Sequence, residues 1–426
     1  VLPSSSWRMC YGIRPADSEP LFSEALAIAR RKLPPDDPQV AAYANNLAMC
    51  LEYEGKFAAA EPIFRDTVAV NRRTSTTRPL DREVTLNLVA SLINLGGTLN
   101  DEGKPAEAAV PLQEAMVVAR RGGVPPEHPY LANGAGILAD VEKKEGNLAE
   151  AERWAREAVR INDTVLPPGH PAALKSLKDL ADILSSRGKF AEAERIFRDV
   201  LDADRRAGPA NATNADDTTF DLGDVLLQGH RPADAEPLFR EALNHALDNL
   251  PAEARIAAKS TDRLATLLQQ DGRNADCESV LAKSLLRFRQ SLPAGHPAII
   301  FVLLSLNEVR LKSGHAVEAE TGFREADTLI RRNGTMGTAF LARADSGLGR
   351  SLLAEAKPAE ALPLLQKALD EFIQLDGPAS PDLPFKGAEP LATALEQLGR
   401  HDEAKALRAK YPMPTPATKP TSRELP

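Results

Sequence analysis

RPADAEPLFREAL, residues 231–243, is nearly the same phrase as RPADSEPLFSEAL, residues 14–26. Close variants recur as KFAAAEPIFRDTV at 56–68, NLAEAERWAREAV at 147–159 and KFAEAERIFRDVL at 189–201. Weaker copies centre on Ala109, Glu278, Glu320, Leu362 and Lys405. With Glu19, Glu61, Glu152, Glu194 and Glu236 as the other anchors, successive intervals are 42, 48, 43, 42, 42, 42, 42, 42 and 43 residues. An interval held that closely over ten copies marks a repeat array, which overrides the several-globular-domain expectation for a 426-residue chain.

Each unit decodes as two helices. Before the phrase at Glu194, Leu177, Leu180, Ala181 and Leu184 fall at i, i+3, i+4 and i+7, one apolar helical face. A glycine then ends the helix, with counterparts at Gly55, Gly103, Gly146, Gly188, Gly229, Gly272, Gly314 and Gly399. Glycine accepts the positive φ that such a turn requires. The second helix turns Ile196, Phe197, Val200 and Leu201 inward. Its early position is small in most units (Ala60, Ala151, Ala193, Ala235, Ala319, Ala361, and Cys277 in the same place), which lets two helix backbones approach. Trp154 falls in the apolar position of Ile63, Ile196 and Leu238 and reads as core. Asp37-Pro38, His128-Pro129, His170-Pro171 and His296-Pro297 put proline at the start of a first helix, where its missing N–H costs nothing. Second helices close on Arg30-Arg31, Arg72-Arg73, Arg120-Arg121, Arg205-Arg206 and Arg331-Arg332, cations opposed to the negative end of the helix dipole. The fold class expected is all-α: a right-handed superhelical solenoid of stacked antiparallel helix pairs, about nine to ten repeats over residues 1–410.

This pattern resembles the tetratricopeptide repeat, and YANNLAMCLEYEGKFAAAEPIF with the His-Pro helix start resembles the kinesin light chain subfamily. The resemblance implies protein or peptide binding. The Asn-Leu-Ala phrase at Asn46 survives as Asn94-Leu95-Gly96, whereas Ile137, Asp179, Asp221 and Arg263 then replace its asparagine. Of the subfamily's asparagine ladder, the resemblance therefore carries over only Asn46 and Asn94.

The first unit is truncated: Gly12 matches Gly229, so its first helix would lie before Val1, as in a piece of a longer protein. The 48-residue interval places about six extra residues in a surface loop near 74–80. Residues 207–216 and 376–386 read as longer loops between units. The segment 411–426 carries five prolines in 16 residues and reads as a disordered tail.

Composition narrows function. Only 5% of residues are aromatic, and the formal net charge is -8, which speaks against nucleic acid, whose binders show a basic balance or stripe. No apolar run reaches the roughly 18 residues that span a membrane. Residues 1–11 lack the pattern of a signal peptide. Three cysteines, Cys10, Cys50 and Cys277, make no disulfide framework, and a cytoplasmic address is the default. Gly103-Lys104 and Gly188-Lys189 run on into Pro105 and Phe190 rather than Ser or Thr, so neither is a phosphate loop. Gly347-Leu348-Gly349 lies in an expected helix. His128, His170 and His296 share the helix-start position; His230, His315 and His401 lie in turns between helices. Units about 10 Å apart cannot bring equivalent histidines to one metal. No catalytic residue, cofactor or metal ligand is assigned.

The inner wall of the solenoid is the one place where recognition is expected, since first helices line the concave side of such arrays. Facing away from the core there are Asn133 and Asp140, then Lys175, Asp179 and Asp182, then Asp217, Asp221 and Asp224, then Lys259 and Arg263. Neighbouring carboxylates repel and aspartate is a poor helix former. This face reads as an acidic-centred groove for an extended partner segment carrying Lys or Arg, as an ordinary solvated surface, or as hard oxygen ligands that bind a divalent cation adventitiously. The function expected is a protein-interaction scaffold, free-standing or as the sensor arm of a larger protein. A hydrolase built across the groove and an RNA-binding repeat surface are the competing classes; the oligomeric state is left open.

Overall fold

A computed structural model of the chain describes residues 15–78, 81–208, 212–334 and 337–413. Residues 1–14, which hold Cys10 and Gly12, and the tail from 414 onward lie outside the described residues. Two compact units divide at Ala212 and Thr213.

In the first unit, α1 (Pro15–Lys32) is followed by four antiparallel pairs: α2 (Pro38–Tyr53) with α3 (Phe57–Thr77), α4 (Arg82–Asp101) with α5 (Pro105–Arg121), α6 (Pro129–Lys144) with α7 (Leu148–Val165), and α8 (Pro171–Ser186) with α9 (Phe190–Arg206). The second unit holds five more: α10 (Ala212–Gln228) with α11 (Pro232–Asp248), α12 (Ala254–Gln270) with α13 (Asn274–Ser291), α14 (Pro297–Lys312) with α15 (Ala316–Asn333), α16 (Thr338–Ala354) with α17 (Pro358–Asp376), and α18 (Glu389–Gln397) with α19 (His401–Lys410). Among the described residues this is nine helix pairs and one leading second helix, with no strand: an all-α stack of helix hairpins. Three loop expectations are corrected. Residues 74–77 belong to α3, so most of the added length prolongs a helix rather than a loop. Helix α10 already begins at Ala212, and a π-helical turn, Pro384–Ala388, leads into α18. Tyr411, at the head of the expected tail, is buried.

The small position is closed in every unit: Ala60, Ala151, Ala193, Ala235, Cys277, Ala319 and Ala361 are fully buried. The Cys277 thiol donates to the Ala265 carbonyl, 3.5 Å, and burial pushes its pKa up. Three residues after most anchors stands a main core side chain of the hairpin, among them Phe64, Leu112, Phe239, Phe323 and Leu365. Several meet a glycine of a first helix, that of their own pair at Gly96 and that of the following pair at Gly347. A Cβ on Gly96 would lie 2.4 Å from Leu112, and one on Gly347 would lie 2.3 Å from Phe323. Gly347 and Gly349 are thus contact points inside α16. Trp154 packs against the core shared by α2 to α6.

The turn glycines have φ between 70° and 87° at Gly55, Gly103, Gly146, Gly188, Gly272, Gly314 and Gly399. The fifth complete unit departs from this: His230 (φ 59°), not Gly229, holds the left-handed position, and Ala356 (φ 59°) holds it in the α16–α17 turn.

The His-Pro pairs have a structural cause beyond proline. His128, His170 and His296 are helix N-caps whose Nδ1 accepts the N–H of Tyr130, Ala172 and Ala298, each at 3.2 Å. Asp37 does the same for Gln39 at 2.8 Å. Replacing His296 by Ala should cost about 1 kcal/mol, as loss of an N-cap does, and replacing it by Asp should not. Equal urea midpoints for wild type and His296→Ala would remove the capping role.

Candidate functional site

First helices of neighbouring pairs are tied to one another by side chains, and this decides which of their polar residues are available. In the first unit, Asn94 on α4 donates to Asn45 on α2, 2.9 Å, while Asn46 lies half-buried beside it. Asn45 was not anticipated; it is the neighbour in sequence that actually meets the next unit. Further along, Asn100 donates to Asp140, 2.7 Å, and Lys144 reaches both Asp140, 2.9 Å, and Asn100, 3.0 Å. Burial raises the Asp140 pKa, but these two partners outweigh it and leave it below the usual carboxylate value.

Beyond them opens a groove of about 840 Å³, bounded by α6 and α8, the end of α4 and the inner face of α7. It gathers five of the expected residues, Asn133, Asp140, Lys175, Asp179 and Asp182. Their spacing explains this: positions three, four and seven apart lie along one face of a helix, and α6 and α8 present such faces to the same space. Four carboxylates line the groove (Asp101, Asp140, Asp179, Asp182) against two lysines (Lys143, Lys175). Lys175 pairs with Asp179, 2.7 Å, and Lys143 with Asp182; the Asp182 side chain still keeps 61% of its surface exposed. Burial pushes the Asp101 carboxyl up. The floor is apolar at Ala132, Gly136, Ile137 and Ala139. Asn162 and Ser176 at its base are bonded to each other, 3.2 Å, as are Asn71 and Ser91 two hairpins earlier, so both pairs join neighbouring hairpins.

In the second unit the other five expected residues make contacts of their own. Asp217 accepts from Arg255, 2.6 Å, Asp224 accepts from Arg263, 2.7 Å, and Lys259 stands 5.4 Å from the centre of the Phe220 ring. Asp221, half-buried between the other two aspartates, is itself engaged. Two of the three aspartates of α10, Asp217 and Asp224, thus face cations of α12, and neutralisation between neighbouring hairpins supplies a reason for a face that packing alone left unexplained.

A second ladder runs along the second helices and was not read from the sequence. Anchor glutamates accept from a cation in the following turn: Glu19 from Lys56, 2.7 Å; Glu61 from Lys104, 2.8 Å; Glu152 from Lys189, 2.8 Å; Glu236 from Arg273, 2.8 Å; Glu320 from Lys357, 3.2 Å. The signal was present, as a Lys or Arg 37 residues after five of the seven glutamate anchors.

Tetratricopeptide repeat family models match residues 14–73 and 129–206, 178–254, and 388–410. The chain is a tetratricopeptide repeat protein. Its 42-residue units with Asp-Pro or His-Pro helix starts resemble those of the kinesin light chain subfamily. Among solved structures, this tetratricopeptide repeat protein is similar to the apo form of RapI (11% identity, 85% of this chain and 99% of that chain, TM-score 0.54). It is also similar to aspartyl phosphate phosphatase F from Bacillus subtilis (13% identity, 87% and 92%, TM-score 0.50) and to BtubC (BKLC) from P. vanneervenii (18% identity, 55% and 89%, TM-score 0.46). At these identities the likeness concerns the fold. No curated protein matches the sequence. Among the described residues no helix is long and apolar enough to cross a membrane.

Proposed function

We propose that this tetratricopeptide repeat protein is a protein-interaction scaffold, and that the groove between α6 and α8 holds an extended partner segment carrying Lys or Arg. The observation that supports this is the groove's composition: four carboxylates against two lysines around an apolar floor. Such a lining suits a segment that alternates a cation with a small apolar side chain. Its volume of about 840 Å³ falls in the range of ligand sites and fits a few residues of extended chain. The role is binding without chemistry, since the imidazole at the rim, His170, uses Nδ1 to cap its own helix.

Carboxylates are paired on both faces, but those of the groove stay open to a partner: the Asp182 side chain is 61% exposed, whereas Asp217 and Asp224, held by Arg255 and Arg263, are 25% and 22% exposed. Selection of a displayed random-peptide library on the intact chain tests the proposal. Wild type should enrich peptides with two or more Lys or Arg in extended spacing, with binding weakened by salt over a Debye length of about 8 Å. The Asp179→Lys, Asp182→Lys double variant should lose that enrichment, with helicity unchanged by circular dichroism. Enrichment that ignores peptide charge, or that survives the double reversal, excludes the groove.

A further inference from the structure

Asp216, His245 and Glu253 come from three segments of the second unit: the first half of α10, the last turn of α11 and the residue that precedes α12. One donor atom from each lies within 4.8 Å of the other two. The His245 Nδ1 is in direct contact with the Asp216 carboxylate and lies 3.9 Å from Glu253 Oε2. Asn249 adds its side-chain amide 3.2 Å from the same nitrogen. Asp216 and Glu253 are 6% and 4% exposed, whereas the imidazole keeps 47% of its side-chain surface in solvent. Glu253 holds the N-cap position of α12, yet its carboxylate makes no capping bond to that helix; it is directed at the other two side chains instead.

Two carboxyl groups buried side by side need a positive charge or a proton between them. Without a cation, protons do this work. Burial first and Glu253 second push the Asp216 carboxyl up to about 7, and contact with Asp216 raises the imidazole in turn. A divalent ion can displace those protons and supply the charge directly.

We propose that Asp216, His245 and Glu253 form a binding site for a divalent transition-metal ion of the Zn²⁺ or Co²⁺ type. Imidazole among the donors selects this class over Mg²⁺ and Ca²⁺, which take oxygen alone. Zinc–ligand bonds of about 2.0–2.2 Å require donors a little over 3 Å apart, and the half-exposed His245 is free to turn and adjust its distances to the two carboxylates. Two buried carboxylates and one solvent-facing imidazole leave the remaining coordination positions to water. The ion would join α10, α11 and α12 at their ends, opposite in role to the groove of the first unit and independent of it. Binding is a simple exchange: the metal enters, and protons held at the Asp216–His245 contact leave to solvent.

The test uses the full chain, stripped with a chelator and titrated with Zn²⁺ by calorimetry and with Co²⁺ by visible absorption. One equivalent should bind, and the thermal midpoint should rise by about 5 °C when free Zn²⁺ is about a hundredfold above its dissociation constant. His245→Gln should weaken binding at least about tenfold and abolish the cobalt–imidazole absorption, and Glu253→Gln should weaken it comparably. His315→Gln, in a turn of another hairpin, should leave both readouts unchanged. His245 is half-exposed, so its variant decides the matter if Glu253→Gln unfolds. No Zn²⁺ or Co²⁺ binding, binding unaffected by His245→Gln, or Mg²⁺ binding equal to Zn²⁺ overturns the proposal.

Discussion

Replacing Glu152 by Gln is expected to destabilise the first unit by about 2 kcal/mol at pH 7, although the side chain keeps its shape and half its acceptors. Glu152 is 6% exposed and receives Arg156 from its own helix, 2.8 Å, Lys189 from the next turn, 2.8 Å, and Arg187 beside it. Breaking a fully buried ion pair costs about 3–5 kcal/mol; the smaller figure allows for the solvent that still reaches the three cations, 30–46% exposed. Burial pushes the carboxyl up, but the three cations prevail and hold it at about 2 against a usual 4.5. A depressed carboxyl contributes stability that is fully present above its unfolded value and is lost as pH falls through its folded one. The gap between wild type and variant should therefore hold from neutral pH down to about 5 and narrow between 4.5 and 2. Urea unfolding across that range reads it directly. A gap that is constant with pH, or none at pH 7, contradicts the ion-pair account.

Replacing Gly347 by Ala should cost about 3 kcal/mol, at the upper end for overpacking by one methyl. The new Cβ would stand 2.3 Å and 2.4 Å from two atoms of the Phe323 ring. Phe323 has no exposed surface, so the ring has nowhere to turn, and α16 must instead move away from α15. Since a repeat array adds its stability unit by unit, the loss should stay local. Amide exchange should quicken in residues 297–376, while residues 15–208 keep their protection. Uniform quickening along the chain would contradict this.

The helices, their pairing and the small buried position were legible because each is written within a span of twenty residues or so: Ala193 and Phe197 lie one turn apart, and His170 adjoins its proline. Charge partners were harder to read. Asp224 and Arg263 were both recognised as facing away from the core, but as members of one open face; they are 39 residues apart and in fact satisfy each other. The groove residues Asp179 and Asp182 were legible from helical spacing, while its other wall, at Asn100, Asp101 and Ile137, depends on how neighbouring hairpins stack. Asn45 was missed beside Asn46 because a rotation of one residue decides which amide meets Asn94. Asp216, His245 and Glu253 share no helical face, so no periodicity could bring them together.

The rung from an anchor glutamate to the cation of the following turn, made five times over, has a consequence for how such a chain can change in length over generations. Four hairpins, α2–α3, α8–α9, α10–α11 and α12–α13, carry both a cation in their turn and a glutamate anchor, the halves of two successive junctions. A duplicate of one of these therefore arrives with both of its connectors, and deletion of one leaves two compatible ends. The rung from Glu61 to Lys104 survives a stretch of 43 residues where its counterparts span 37, so the junction tolerates an uneven intervening segment. Copy number can drift without fresh surface having to be invented.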